Sequence, residues 1–385
     1  MNSDNVLPGS TPSSIPASLF LTGATGFLGG SVAAHLIEEG GTESLLFLVR
    51  SESREQGLAR LRDNLRLHAV MEMDLQRLHV GQIICGDLLE TGWLQSERQR
   101  LMQLEQVINC AAVASFSKNP TIWPVNVEGT FTFARTMSES VRLKRFLHVG
   151  TAMCCGPDRP SPVRESWEFP PSDEQLVDYT ASKAEIERRM REELPSLPLV
   201  VARPSIVVGH SRLGCQASGS IFWVFRMGFA LESFTCDLDE QIDVIPVDYC
   251  AQALVALALK PSLEHSLYHI SAGNEAACTF GEIDRAFAHA QGEEPVGERY
   301  RKVSAENLRE LANNFEARIG KANPRLVLRA LRLYSGFADL NYLFDNQRLL
   351  DEGIAAPPRF TDYVDVCVHS SRNVSIPAQM QWDFK

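Results

Sequence analysis

Two side chains with complementary proton chemistry, Tyr179 and Lys183, are spaced four residues apart in the sequence YTASK. The segment that follows, AEIERRMREEL, has strong helical character, so both side chains lie one turn apart on one helix face. A phenol has a reference pKa of about 10, and a neighbouring ammonium favours its anionic form. The pair therefore suits proton exchange with a substrate oxygen, although a surface Tyr and Lys on one helix face are also common.

A hydroxyl group follows a predicted strand earlier in the chain. The segment FLHVGT ends at Thr151, whose side chain could hydrogen-bond the reacting oxygen. His148, inside the same strand, is interpreted as a core residue and not as a catalyst.

A glycine-rich turn near the start of the chain indicates a dinucleotide site. The sequence TGATGFLG follows an apolar strand that begins at Ser18 and precedes a helical pattern. Glycines there permit a tight turn and close approach of the backbone to a pyrophosphate, and the helix N-terminus favours the phosphate charge. The turn residues predicted to contact the cofactor are Thr22, Gly23, Thr25, Gly26, Phe27, Leu28 and Gly29.

The second predicted strand ends at Arg50, where a site that prefers NAD would usually offer Asp or Glu. A guanidinium suits a 2′-phosphate, so NADP(H) is the expected cofactor. Arg54 and Arg60 could assist or only cover a helix, and Arg50 itself could be solvated. Lys183 could also hold the nicotinamide ribose.

Two later strand ends complete the predicted cofactor site. Asp87, followed by Leu88, could reach the adenine edge or could simply cap the next segment. Ala111 and Ala112 would let the backbone approach a cofactor, although core packing explains them almost as well.

Apolar runs alternate with helical stretches up to about residue 205, which predicts an α/β fold with a doubly wound parallel sheet. We expect a flexible tail at residues 1–17 and a Rossmann domain at 18–275 that includes substrate-lobe segments from about 210–245. A smaller, mainly helical substrate-binding lobe is expected at 276–385.

Composition narrows the functional class. The chain has 385 residues, 44% of them hydrophobic, and a net charge of −11, which disfavours nucleic acid as a partner. Its nine cysteines show no metal-ligand spacing, so no metal is expected, and they are interpreted as reduced thiols of a cytoplasmic protein. The polar start is not a signal sequence, and no apolar stretch is long enough to span a membrane.

The motifs TGATGFLG, VGTA, YTASK and ARPSIVVG, in this order, resemble the extended short-chain dehydrogenase/reductases over about residues 18–275. The resemblance implies that Tyr179 and Lys183 are catalytic, that Thr151 supports the substrate oxygen and that Asn126 supports the lysine. It also places Pro204 and Ile206 near the nicotinamide.

One position departs from that family, because Gly150 stands where many members carry Ser. This departure leaves a second hydroxyl beside Thr151 in doubt.

Within the family, the chain is most similar to the thioester-reductase and fatty-acyl reductase branch, which has a male-sterility-type NAD(P)-binding domain. The similarity rests on an arginine-rich helix after LFLVR, on VVGHSRLG and on IDVIPVDY, with His210 in place of the usual Asp. It implies NADPH-dependent reduction of an acyl thioester to an aldehyde or alcohol. The thioester would come from CoA or from a separate acidic carrier protein.

A basic segment lies near the end of the chain, where residues 299–332 contain nine Lys or Arg and three Asp or Glu. Arg325, Arg329 and Arg332 could share a helix face that binds an acidic carrier or CoA phosphates, or that is simply solvated. Eight apolar side chains could line an acyl pocket. Three are aromatic: Trp223, Phe225 and Phe229. The other five could instead pack in the core or contact a membrane: Leu326, Val327, Leu328, Leu331 and Leu333.

Other functions use the same scaffold. A sugar-nucleotide epimerase or dehydratase, or a dehydrogenase acting on a free carbonyl or hydroxy compound, could also employ Tyr179 and Lys183. An NADP-binding redox sensor without catalysis is a further alternative, which the intact Tyr and Lys disfavour. Members of the family often pair through helix faces, so a homodimer is left open.

Overall fold

A seven-stranded sheet forms the centre of the protein in the computed structural model, which describes residues 18–304 and 306–383. The predicted tail at residues 1–17 lies outside the described residues. All neighbouring strands are parallel, and their order is β3-β2-β1-β4-β5-β6-β7. The predicted α/β fold with a doubly wound sheet is therefore confirmed. The strands are β1 (Leu19–Thr22), β2 (Leu45–Val49), β3 (Ile83–Cys85), β4 (Gln106–Asn109), β5 (Arg145–Val149), β6 (Leu199–Pro204) and β7 (Leu267–Ile270).

The longer helices cover the sheet and build a second lobe. In the described part of the chain, those with at least eight residues are α1 (Phe27–Glu38), α2 (Arg54–Leu67), α3 (Thr130–Ser138), α4 (Asp178–Glu193), α5 (Phe222–Leu231), α6 (Val247–Leu259), α7 (Phe280–Gln291), α8 (Pro324–Ala338) and α9 (Ile376–Asp383). No helix in residues 18–304 and 306–383 combines the length and apolar character that a membrane span requires.

Shorter elements connect these. The short α-helices are Glu72–Arg77, Trp93–Ser96, Arg98–Leu101, Gly273–Ala276, Leu308–Leu311, Phe315–Ile319, Gln347–Asp351 and Val364–Ser370, and a π-helix covers Pro124–Gly129. The 3-10 turns are Thr42–Ser44, Val80–Gln82, Ala152–Cys155, Ser172–Glu174, Gly297–Arg299, Ala312–Asn314 and Phe360–Asp362. Two-residue strands pair as Ile206–Val207 with Val244–Ile245, Gln241–Ile242 with Cys278–Thr279, and Ser233–Phe234 with Arg301–Lys302.

Alternate side chains of each strand enter two different cores, as a sheet covered on both faces requires. Leu19 and Leu21 of β1 pack with α1, α2 and α6 on one face. Phe20, between them, packs with α3 and α4 on the other. Because the strands are parallel, their carboxyl ends all open on one edge of the sheet.

The second lobe has its own aromatic and aliphatic core, built around α5, α7, α8 and α9. The sequence assigns all of residues 276–385 to this lobe, but residues 340–352 return to the sheet. Asp243 accepts hydrogen bonds from the backbone N–H groups of Ala272 (2.7 Å) and Phe344 (3.0 Å), and Leu349 enters the core beside α6. This return segment therefore joins the lobe to the last strand.

A buried arginine fixes α6 to the sheet, which yields a stability prediction. Arg145 donates to the carbonyl oxygens of Leu257, Ala258 and Lys260, at 2.6, 3.1 and 2.7 Å, and so caps the end of α6. Arg145→Met should lower the free energy of unfolding by about 2–3 kcal/mol, because these carbonyls lose a charged donor. Denaturant titration measures the change.

The matched control is the neighbouring exposed residue, Lys144, which pairs with Glu105 at 2.9 Å. Lys144→Met should change stability by less than about 1 kcal/mol. Equal effects of the two substitutions would contradict the capping role of Arg145.

Candidate active site

The candidate cofactor site lies where the strand order reverses, outside the carboxyl ends of β1 and β4. Gly23 follows β1 with a φ of +78°, and a Cβ added to it would lie 2.9 Å from the backbone N of Ala111. A Cβ on Gly29 would lie 2.2 Å from the carbonyl oxygen of Gly23. Both positions require glycine because strand, turn and α1 meet at backbone-contact distance.

The turn between these glycines presents backbone groups at the start of α1. Gly26 is exposed, Thr25, Phe27 and Leu28 are half-buried around it, and no described side chain caps the helix. Asn64 of α2 fixes the turn by donating to two of its carbonyl oxygens at 3.0 and 3.2 Å. Free N–H groups at a helix N-terminus fit a diphosphate.

Thr22 is buried and joins three strands. Its hydroxyl donates to Oδ1 of Asn109 (2.6 Å) and accepts from the backbone N of Ala111 (3.0 Å). Nδ2 of Asn109 lies 3.1 Å from Nδ1 of His148, whose pKa burial lowers well below its ordinary value. The neutral imidazole accepts this hydrogen bond, so His148 is a structural part of the sheet.

Two arginines lie together after β2. The guanidinium of Arg60 donates to the backbone carbonyl of Arg50, while the exposed side chain of Arg50 has no hydrogen-bond or ion-pair partner in the described part of the chain. Arg54 is already paired with Glu97 at 2.8 Å. Of the three arginines that the sequence singles out here, Arg50 and Arg60 have no acidic partner among the described residues, and their contact with a phosphate stays a prediction.

The turns after β3 and β4 approach the same site. Oδ1 of Asp87 accepts from the backbone N–H groups two and three residues later, both at 2.8 Å, as expected of a cap. Leu88 is buried, and its carbonyl lies so near Gly129 that a Cβ there would be 1.6 Å from the oxygen. Ala111 and Ala112 are half-buried beyond the end of β4.

Asn126 connects the cofactor side of the site to the helix of the catalytic candidates. From the π-helix, its Oδ1 accepts from Val113 N (2.7 Å) and its Nδ2 donates to Val113 O (3.1 Å). The same Nδ2 also lies 3.0 Å from the hydroxyl of Ser182, the residue before Lys183. Asn126 thus contacts α4 at the side chain that precedes Lys183, and its support of the lysine stays a prediction.

The structure brings Thr151, Tyr179 and Lys183 to the carboxyl end of β5. Lys183 is buried, and its Nζ donates to the carbonyl oxygen of Val149 at 2.7 Å. Tyr179 is half-buried in the first turn of α4, with its ring 5.8 Å from that of Phe116. Within the described residues, the hydroxyl groups of Tyr179 and Thr151 have no hydrogen-bond partner, so both can bind a substrate oxygen.

The charge states of the tyrosine and lysine follow mainly from burial. Burial raises the pKa of Tyr179, and the nearby Cys154 and Glu187 act in the same direction. The sequence predicts a lowered pKa from the ammonium of Lys183, and this expectation is wrong for the protein as described. Burial lowers the pKa of Lys183 to about 8. At neutral pH the phenol is a proton donor, which suits reduction of a carbonyl group.

A buried ion pair lies beside this lysine. Glu187, one turn after Lys183, accepts at Oε2 from Nε (2.9 Å) and Nη2 (2.7 Å) of Arg203 on β6. Its other oxygen, Oε1, is buried with no hydrogen-bond partner among the described residues, and a Cβ on Gly150 would lie 2.1 Å from it. Glycine at position 150, where the family often has Ser, therefore makes room for the carboxylate of Glu187.

An apolar cavity lies beside the site in the second lobe, between α5, α7 and α8. Its wall includes Ile206 just beyond β6, Met153 two residues after Thr151, and Tyr334 and Phe337 of α8. Pro204, at the end of β6, is buried. Phe337 stacks on Phe116 at 4.7 Å between centroids, and Phe116 contacts Tyr179. The Phe116 ring therefore separates the cavity wall from Tyr179, and Thr151, Tyr179 and Lys183 do not line the cavity.

The sequence locates only part of this cavity. Phe225 and Phe229 line it, whereas Trp223 is fully buried in the lobe core, 5.2 Å from the ring of Tyr334. The apolar residues predicted on α8 do not line it either. Of these, Val327 and Leu331 are in the lobe core, Leu326 is 54% exposed, and Leu328 and Leu333 are half-buried on the outer side.

A family model described as male sterility protein matches residues 21–254. The chain belongs to this family. This confirms the predicted branch, and the chain is an NAD(P)-binding oxidoreductase of the extended short-chain dehydrogenase/reductase type.

Curated relatives of this family member include two reductases and a synthetase. Probable fatty acyl-CoA reductase 5 of Arabidopsis thaliana is 23% identical over 340 residues, covering 69% of the chain and 68% of the relative. Fatty acyl-CoA reductase wat of Drosophila melanogaster is 27% identical, and the match covers 62% of the chain and 53% of the relative. The chain spans only 26% of the non-canonical nonribosomal peptide synthetase hkm10 of Aspergillus hancockii, at 26% identity over 66% of the chain.

Solved structures show the same fold. The terminal R domain from the myxalamid PKS-NRPS pathway matches with a TM-score of 0.76 and 23% identity, covering 92% of this chain and 90% of that domain. UDP-glucuronic acid 4-epimerase from Bacillus cereus in complex with NAD matches with a TM-score of 0.62 and 14% identity, covering 93% and 97%.

Several residues that shape the site lack an obvious sequence signal. Phe116 lies in a loop and Phe337 lies far along the chain, so only the fold reveals that they stack. Glu187 could have been suspected from its spacing, one helical turn after Lys183. Its partner, Arg203, directly precedes Pro204, which the family resemblance places near the nicotinamide.

The carboxylate of Glu187 yields a pH prediction. Activity that needs the Lys183 ammonium should fall as pH rises through the pKa of about 8. Glu187 raises the pKa of Lys183, so Glu187→Gln should shift this fall to lower pH. A profile of kcat/KM against pH measures the shift.

Glu185→Gln is the matched control, because Glu185 lies on the same helix at the surface, paired with Arg188. Its profile should stay in place. A folded Glu187→Gln variant with an unshifted alkaline limb would show that Glu187 does not set the charge of Lys183.

Proposed function

We propose that the protein reduces an acyl thioester to an aldehyde, with NADPH as the reductant. The observation that supports this best is the apolar cavity of the second lobe, whose wall adjoins Tyr179 through the ring of Phe116. Its wall is mostly aliphatic and aromatic, and among the described residues its polar members besides tyrosines are Gln241, Asp284 and Asn341. Such a cavity suits an acyl chain and offers little to a sugar nucleotide, which needs many polar partners.

The glycine turn from Thr22 to Gly29 and the guanidinium of Arg50 would hold NADPH, which would supply a hydride to the carbonyl carbon of the thioester. The protonated phenol of Tyr179 and the hydroxyl of Thr151 donate hydrogen bonds to the carbonyl oxygen as negative charge develops there. The buried ammonium of Lys183 adds a positive charge one helical turn from the phenol. These interactions favour addition because they are stronger in the transition state than with the neutral carbonyl.

Collapse of the resulting tetrahedral species expels the thiol and leaves an aldehyde. In balance, the thioester, NADPH and one proton give an aldehyde, a thiol and NADP⁺. The aldehyde has a carbonyl group of its own, so the same residues can support a second reduction to an alcohol.

The direct experiment follows NADPH oxidation and thiol release together, with acyl-CoA and acyl-carrier thioesters beside free aldehydes and ketones. The proposal is supported if one thiol is released for each NADPH consumed in reducing the thioester to the aldehyde. If the protein reduces only free carbonyl compounds, the proposed function is wrong and the protein is an aldehyde or ketone reductase. A relative from Aspergillus flavus is named aldehyde reductase lnaA.

Tyr179→Phe tests the proton donor. The substitution removes only the hydroxyl, so NADPH binding should persist while kcat falls by about 10²–10⁴-fold. Steady-state kinetics and fluorescence titration with NADPH give the two quantities.

Tyr363→Phe serves as the control, because the hydroxyl of Tyr363 is buried without a hydrogen-bond partner in the second lobe. Its activity should be unchanged. A Tyr179→Phe enzyme as active as this control would remove Tyr179 from the mechanism.

Arg50→Asp tests the choice of cofactor. The exposed guanidinium is proposed to bind the 2′-phosphate of NADPH, so the substitution should raise the KM for NADPH by at least about tenfold and leave the KM for NADH nearly unchanged. Arg54→Ala, which alters an arginine already paired with Glu97, is the control. An unchanged ratio of the two KM values would show that Arg50 does not read the 2′-phosphate.

A further inference from the structure

Four arginines line one surface groove between the helix Leu308–Leu311 and α8. Arg309 comes from the first helix, and Arg325, Arg329 and Arg332 occupy one face of the second, at spacings of four and three residues. The half-buried side chains of Leu328 and Leu333 form the apolar part of the groove. We refer to these six residues as the arginine groove.

The arginines of this groove differ from three other basic residues of the same segment, which are paired with carboxylates. Arg299 and Arg318 both pair with Glu232, at 3.3 and 3.4 Å, and Lys302 pairs with Asp237 at 2.6 Å. In residues 18–304 and 306–383, no carboxylate forms an ion pair with any arginine of the groove. Like charges at i,i+4 destabilise a helix, so the groove favours an external anion.

The opposite side of α8 belongs to the candidate active site. Tyr334 and Phe337 line the apolar cavity and contact Phe116, which lies against Tyr179. Along the axis of α8, Arg332 and Arg325 precede Phe337 by about 7 and 18 Å, at 1.5 Å per residue. Phe337 lies in the last turn of α8, so a thioester that bridges the groove and the cavity would pass around the carboxyl end of this helix.

We propose that the arginine groove binds the phosphate groups of CoA in an acyl-CoA substrate; this inference rests on the proposed function. Guanidinium groups bind phosphate through paired hydrogen bonds, and four of them match the diphosphate and 3′-phosphate of CoA. A concave groove with leucines between the arginines suits a small polyanion carrying an adenine. The flatter acidic surface of a carrier protein fits this shape less well.

The test compares three thioesters of one acyl group: acyl-CoA, acyl-dephospho-CoA and acyl-pantetheine. For the wild type, KM should rise in that order as phosphates are lost. The double variant Arg325→Ala, Arg329→Ala should raise the KM for acyl-CoA by at least about tenfold and leave the kinetics with acyl-pantetheine unchanged. The control is Arg142→Ala, because Arg142 lies just before β5, at the amino ends of the strands.

Three results would overturn the inference. Equal losses with acyl-CoA and acyl-pantetheine would mean that the arginines support the lobe and not the phosphates. Loss only with an acyl-carrier protein would assign the groove to an acidic protein. Equal wild-type KM values for the three thioesters would show that the groove does not bind the phosphates of CoA.

Calorimetric titration with free CoA separates this inference from the proposed function, because binding needs no turnover. Weaker CoA binding by the double variant supports the groove even if no thioester is reduced. Equal binding by wild type and variant would overturn the inference even if thioesters are reduced.

Discussion

The buried salt bridge between Glu187 and Arg203 holds the candidate active site together. Glu187 shares a helix with Tyr179 and Lys183, while Arg203 belongs to a central strand, so the pair attaches the catalytic helix to the sheet. Neither charge can be removed alone without leaving the other buried and unpaired. The carboxylate also requires glycine at position 150, directly before Thr151. Hydroxyl, lysine and salt bridge therefore constrain one another at the carboxyl edge of β5.

Local patterns in the sequence predict the cofactor half of the molecule well, because strand, glycine turn and helix follow one another within a few residues. The run LLFLV, the turn TGATGFLG and the helix after YTASK all form where the pattern places them. Contacts between distant residues are not predictable in this way. The pKa of Tyr179 is one example, since its rise depends on burial among side chains from separate elements.

The second lobe shows the same limit. The sequence predicts a mainly helical lobe without the positions of its breaks, and within the described residues one break falls at Gly320, whose φ is +85°, just before α8. The apolar face of α8 predicts burial without specifying which residues meet the cavity. His210, which departs from the usual Asp, is explained only by its surroundings: its Nδ1 accepts from the backbone N of Arg212 at 3.1 Å, a role that an Asp oxygen could fill.

The central claim, that hydride reaches the carbonyl carbon of a thioester, is tested most directly by isotope transfer. The protein would be incubated with an acyl-CoA and NADPH deuterated at the transferring position, and the products would be analysed by mass spectrometry. The account predicts one deuterium on the carbonyl carbon of the aldehyde. If a second transfer gives the alcohol, its carbinol carbon should carry two. One free CoA should form for each acyl group reduced. Release of CoA without deuterium in the acyl product would contradict it.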